Sequence, residues 1–122
     1  MFNFIYVALG GACGAMGRYA ISLIPTRTSL PLLTFATNVL GAVIIGFIIG
    51  VASSKGTVSK EMMLFLKVGI CGGFTTFSTF SVEVLNLFGE GRAVLGIMYA
   101  FISVVCCIIG VYVGQMIANK VV

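Results

Sequence analysis

A chain of 122 residues that is 60% hydrophobic and only 8% charged is not a soluble domain, in which about a quarter of the residues carry charge. Its net charge of +4 comes from scattered Lys and Arg with no cluster to track a phosphate backbone, so no nucleic-acid partner is expected. His, Asp and Trp are absent, which removes His-based acid–base catalysis, paired-carboxylate hydrolysis and His/Asp metal sites, and the chain does not read as an enzyme.

Length allows one domain, residues 1–122, and the apolar pattern divides it into four transmembrane spans at about 2–24, 31–52, 60–88 and 93–118. No basic region precedes the first apolar run and three more spans follow, so it is a membrane helix rather than a signal peptide. Gly10 and Gly14, flanked by Gly11, Ala12, Ala15 and Gly17, form a small-residue face on which another helix can approach closely. Arg18 follows this face inside the hydrophobic stretch, where it either snorkels to the interface or lines an anion vestibule. Pro25 and the polar run 26–29 end the span.

The second span repeats the close-packing pattern at Gly46 and Gly50. Asn38 is its one strongly polar side chain, and an amide in hydrocarbon must face protein or water, either as a functional group or as adhesion between helices. A short polar loop at 53–59 follows. Ser59 caps the third helix, with Met62 where a full capping box would carry Glu.

The third span is the unusual one. As an unbroken helix of residues 60–88 it would run about 43 Å against roughly 30 Å of hydrocarbon. Its middle holds Gly72-Gly73-Phe74-Thr75-Thr76-Phe77-Ser78-Thr79-Phe80-Ser81, with no aliphatic side chain after the glycines. Gly favours conformations that break helices, and Ser and Thr can offset lost backbone bonds, so a break at mid-membrane is expected here. Such a break survives only where protein or a water-filled cavity covers it, and it reads as an ion or solute site. Glu83 lies about 9 Å along from Phe77, where a carboxylate needs water or a partner. In the fourth span, Gly110 and Gly114 make another packing pair, and Tyr99, Ser103 and Cys107 form a polar-tipped stripe on one face. The four cysteines lie in apolar stretches without a C-x-x-C pair and are expected to be buried free thiols.

Loop charge does not choose an orientation. Lys55, Lys60 and Lys120 on one side face Arg27 and Arg92 on the other, a bias of one that grows no larger if Lys67 and Arg18 also snorkel outward. A chain without a preference inserts both ways, which points to an antiparallel homodimer with its two-fold axis in the membrane plane. Residues near 74 then lie closest to the axis, where carbonyls of both chains can hold a cation. Hydroxyls, amide N–H groups and the positive edges of Phe77 and Phe80 suit an anion, and with no deep Lys they would bind it without trapping it. Read from the residues alone, the chain passes a small anion.

Three blocks carry a resemblance: Gly10-Gly11-Ala12-Cys13-Gly14-Ala15-Met16-Gly17-Arg18-Tyr19, then Asn38 with Gly41, then the 72–81 stretch. Together, in order and along the whole chain, they closely resemble the Fluc/CrcB family of fluoride channels, the third block being the most specific. The resemblance implies four-helix subunits paired antiparallel, two fluoride pores and a central structural sodium ion, serving passive fluoride export from a microbial cell across its plasma membrane. It implies a pore lined by Asn38, Phe77, Ser78, Thr79, Phe80, Tyr99 and Ser103, vestibule roles for Arg18 and Glu83, and sodium ligation by the backbone carbonyls of Gly72 and Thr75. Relatives often carry a hydroxyl one turn beyond Ser103, where this chain has Cys107. Two alternatives are a small dual-topology multidrug or cation exporter, for which only Glu83 offers a membrane carboxylate, and a non-transporting assembly subunit, which leaves Asn38 and the hydroxyl cluster without a role.

Overall fold

Each of the four apolar stretches folds as a helix or a broken helix long enough to cross a bilayer: Phe2–Ser22, Leu32–Ser54, Lys60–Gly89 and Ala93–Val121. The computed structural model describes residues 2–56 and 58–122; Met1, and Thr57 of the expected 53–59 loop, lie outside the described residues. Helix α1 covers Phe2–Ser22 and α2 covers Leu32–Lys55. The third span is built from α3 (Lys60–Met63), a π-helical segment (Leu64–Cys71), α4 (Gly72–Phe74) and α5 (Phe77–Gly89), and α6 (Ala93–Val121) closes the chain. This is a multi-pass membrane protein with all-helical architecture.

The helix ends follow local chemistry. Before Pro25 the chain leaves the α-helix at Ser22 and tightens, with Ile24 N–H donating to the Ile21 carbonyl at 3.0 Å, because a residue preceding proline is pushed out of the helical region. The second helix runs further than expected, through Ser53 and Ser54 to Lys55, and stops where Gly56 takes φ 60 and turns its N–H back to the Ala52 carbonyl. Ser59 caps the third span as expected, its hydroxyl accepting from Met62 N–H at 3.2 Å. Helix α5 ends in a Schellman turn with Gly91 at φ 73, Arg92 N–H reaching the Leu87 carbonyl and Gly91 N–H the Phe88 carbonyl.

Packing is dominated by small residues. A Cβ on Gly10 would strike the Phe65 carbonyl and lie 2.9 Å from Gly69 Cα, and one on Gly14 would strike the Ile70 carbonyl, so α1 lies directly on the backbone of the third span. Between α2 and α6, a Cβ on Gly46 would meet the Val111 carbonyl and one on Gly114 the Val43 carbonyl. The expected small-residue pairs thus lie at interfaces, where contact between backbones replaces the hydrophobic drive that lipid removes. Large side chains point the other way: Phe4 is 81% exposed and Phe101 70%, as suits faces that meet acyl chains. The four thiols are free, but only Cys71 is buried; Cys13 faces outward, because α1 turns its glycine face, and not its cysteine, to the third span.

The break falls two residues past the glycines. Gly72 is helical at φ −65, ψ −37, and Gly73 lies within α4, so neither glycine breaks the helix. A Cβ on Gly73 would collide with the Gly11 carbonyl, so its role is close packing. The interruption is Thr75 (φ −82, ψ 156) and Thr76 (φ −149, ψ 120), two β-branched residues in extended conformation.

Candidate functional site

Two hydroxyls and one amide hold the break together. Thr75 Oγ1 donates to the Cys71 carbonyl at 2.8 Å, finishing the helix behind it. Thr76 Oγ1 accepts from Thr79 N–H at 3.2 Å and so caps α5. Across from them, the Asn38 side chain brackets the Thr76 peptide: its Nδ2 donates to the Thr76 carbonyl at 3.0 Å, and its Oδ1 accepts from Thr76 N–H at 2.8 Å. This pairing fixes which way the amide points and leaves one of its two N–H donors unused by Thr76.

Beside the break, α2, both halves of the third span and α6 line an open cavity of about 440 Å³. Of the residues singled out from sequence, Asn38, Gly72, Thr75, Phe77, Phe80 and Ser103 line it. Gly41 makes room, since a Cβ there would collide with Thr75 Cγ2. Ser103 is 5% exposed and its hydroxyl has no hydrogen-bond partner, so a residue of the cavity wall carries a buried, unsatisfied polar group. Cys107 continues the α6 stripe one turn on, also at the cavity. Phe77 is 76% exposed and Phe80 8%; their ring centroids are 5.4 Å apart, and Phe80 in turn lies 5.3 Å from Tyr99 at an interplanar tilt of 53°. An aromatic series thus runs from the outer surface to α6.

The other expected residues lie around this cavity and not on its wall. Ser78 and Thr79 are exposed, with their hydroxyls 3.3 and 3.1 Å from Thr76 Oγ1. Tyr99 donates its phenolic hydroxyl to Glu83 Oε2 at 2.8 Å, and Thr34 donates to Glu83 Oε1 at 2.6 Å, so both carboxylate oxygens are engaged. Arg18 does not stand free: its Nε donates to the Gly73 carbonyl at 3.2 Å, just before the break.

Three residues take roles that the sequence reading did not give them. Thr76 carries the N-cap, a role signalled by a Thr directly before the Phe77–Thr79 turn. Thr34 lies one turn before Asn38 on the same face, a spacing that foretells a shared neighbourhood. Lys67, considered from sequence only as a snorkelling residue, is among those lining the cavity, one turn before Cys71.

The break changes backbone accounting around Gly72 and Thr75. In an unbroken helix the Gly72 carbonyl would meet Thr76 N–H, which here goes to Asn38, and the Thr75 carbonyl would meet Thr79 N–H, which here goes to the Thr76 hydroxyl. Both carbonyls have lost their helical donor beside the same cavity.

Residues 5–115 match the family model described as CrcB-like protein, Camphor Resistance (CrcB). The chain belongs to the CrcB family. Among similar family members, the fluoride-specific ion channel FluC of Ruminiclostridium cellulolyticum is 40% identical over 99% of this chain and 95% of its own. That of Methylobacillus flagellatus is 39% identical over 93% of this chain and 92% of its own, and that of Clostridium perfringens is 39% identical over 94% and 92%. The match to the CrcB family spans the break, the cavity wall and the glycine interfaces alike.

Proposed function

We propose that the chain is a fluoride channel, carrying fluoride passively out across the plasma membrane as an antiparallel homodimer with two pores and a central structural sodium ion. The observation that carries this reading is the cavity beside the Thr75–Thr76 break, whose lining offers a spare amide N–H, an unpartnered hydroxyl, phenyl rings and one ammonium, and no carboxylate. That chemistry selects an anion. Fluoride is small and strongly hydrated, so each water contact it gives up must be replaced along the path. Asn38 and Ser103 supply donors inside the cavity, Ser78 and Thr79 beyond the break, and Phe77 and Phe80 present ring edges between them. The relatives named as fluoride-specific channels support the identity of the ion. Tyr99 backs Phe80 and continues the polar track toward Glu83. Arg18, bonded beside the break, and Glu83, held by Thr34 and Tyr99, are assigned vestibule roles.

The carbonyls of Gly72 and Thr75, deprived of their helical donors, fit a hard cation, which takes oxygen ligands. Two from one chain do not complete such a shell, so a second copy meeting at the same level supplies the rest. A sodium ion there would hold two chains together at their breaks. Charge supports antiparallel pairing: with Arg18 turned to Gly73 and Lys67 at the cavity, the loops retain Lys55, Lys60 and Lys120 against Arg27 and Arg92.

A proton-driven exporter requires an exchangeable membrane carboxylate, whereas each oxygen of Glu83 already accepts a hydrogen bond from a hydroxyl, Thr34 on one and Tyr99 on the other. Liposomes containing the purified protein separate the two: the channel reading expects fluoride efflux under its own gradient and no drug-driven proton flux, and the reverse pattern overturns it.

A further inference from the structure

Lys67 stands seven residues inside the third span, counted from Lys60, which is about 10 Å of helix at the ordinary rise. A cation at that depth is costly unless it reaches water or a partner, and such residues mark solute pathways. Among the described residues, Lys67 has no acidic partner within ion-pair distance; the ion pair present joins Arg92 to Glu90 on the surface. It lies in the Leu64–Cys71 segment, where π-helical bonding widens the turn and shifts side-chain phase relative to the α-helix that follows, a distortion that recurs at functional sites.

Its position along the cavity follows from the packing. Asn38 fixes one level of α2 beside Thr76. From there α2 advances to Ile45 while the third span, running the opposite way, retreats to Lys67; both line the cavity. Helix α6 runs with α2, Gly110 meeting Ala42 and Val43 and Gly114 meeting Val43 and Phe47, so Val111 belongs to the same end. Lys67 therefore occupies the end of the cavity away from the break, past Cys107, while the unpartnered Ser103 hydroxyl lies nearer the Phe80 end.

We infer that Lys67 is an anion-gathering residue: its ammonium raises the local fluoride concentration at this end of the cavity and hands the ion toward Ser103 and Asn38. The inference rests on the channel reading. Lys67 is itself exposed, so it attracts without enclosing the ion and does not become a trap. It also offsets the weak donor Cys107, by placing a full charge where the α6 stripe loses its hydroxyl.

The test is fluoride efflux from liposomes carrying wild type, Lys67→Gln or Lys67→Arg, with ionic strength set on both sides by a salt of a large impermeant anion. Screening length falls from about 30 Å at 0.01 M to about 3 Å at 1 M, so a steering charge in an open cavity loses its reach across that range. Wild-type flux should fall with ionic strength. Lys67→Gln should be slower by about fivefold at low salt and within about twofold at high salt, and Lys67→Arg should restore the wild-type profile. Equal flux of wild type and Lys67→Gln at both ionic strengths overturns the inference while leaving the channel intact. A flat wild-type profile overturns it without any variant, which covers the case of a Lys67→Gln protein that does not fold. Absence of fluoride flux from wild type removes the channel reading itself.

Discussion

The Asn38 amide and the Thr76 peptide hold each other through two hydrogen bonds, 3.0 Å from Nδ2 to the carbonyl and 2.8 Å from the N–H to Oδ1. Asn38 thereby does in tertiary structure what a helical turn would have done, satisfying a peptide that the break has stripped of its own ladder. These bonds supply the adhesion between helices raised for this residue, and they use only one of its two amide N–H donors.

Replacing it separates those duties. Asn38→Ala removes both bonds and leaves the Thr76 N–H and carbonyl uncovered, which costs about 1–3 kcal/mol for each group left unsatisfied. Asn38→Asp keeps an acceptor for the N–H but loses the donor and places negative charge on the cavity. Thermal unfolding in detergent should show Asn38→Ala as the less stable protein relative to wild type. Fluoride flux should fall at least as far in Asn38→Asp, since the carboxylate repels the ion. Full flux in Asn38→Asp would contradict the amide's place on the pathway.

The phenyl rings make a sharper case. Phe80 is buried between Phe77 and Tyr99, while Phe77 reaches the surface of the chain. Ile at either position keeps apolar bulk and removes the ring quadrupole, and a swap of similar volume usually costs less than about 1.5 kcal/mol of stability. If ring edges carry the anion, Phe77→Ile and Phe80→Ile should each lower flux at least tenfold, about 1.4 kcal/mol on the barrier, in protein whose dimer is verified by size-exclusion chromatography. Wild-type flux in both variants would reduce the rings to packing.

Orientation is testable in cells. With a loop bias of one residue, a C-terminal reporter should be detected on both sides of the membrane. Two added Lys in either the 53–59 loop or the 89–92 turn should force one orientation and depress function. A wild-type reporter found on a single side would contradict the antiparallel pair.

How far the sequence could be read depended on whether a feature was local. Spans and caps were legible because periodicity, Pro25, Ser59 and Gly91 act on their own neighbourhoods. The glycine pairs were legible because lipid leaves little else to bring helices together. The break was placed in the right stretch for an incomplete reason. Gly72 and Gly73 both stay helical, Gly73 against the α1 backbone at Gly11, and the chain opens at Thr75 and Thr76, where Asn38, far away in sequence, takes the freed peptide. Glu83 is the same kind of case: two hydroxyls from α2 and α6 complete it, and nothing within its own helix announces them. Lys67 is a case of the same kind: its place among the cavity-lining residues depends on how α2 and α6 pack beside the third span, which its own neighbourhood does not announce.

The central claim is that this cavity passes fluoride and discriminates against other halides. Its most direct test is to reconstitute purified wild-type protein sparsely in liposomes loaded with fluoride and chloride, collapse the membrane potential with a potassium ionophore, and follow both anions with selective electrodes. The account predicts rapid loss of fluoride from protein-containing liposomes while chloride is retained. Fluoride loss no faster than from protein-free liposomes, or loss of both anions together, would contradict it.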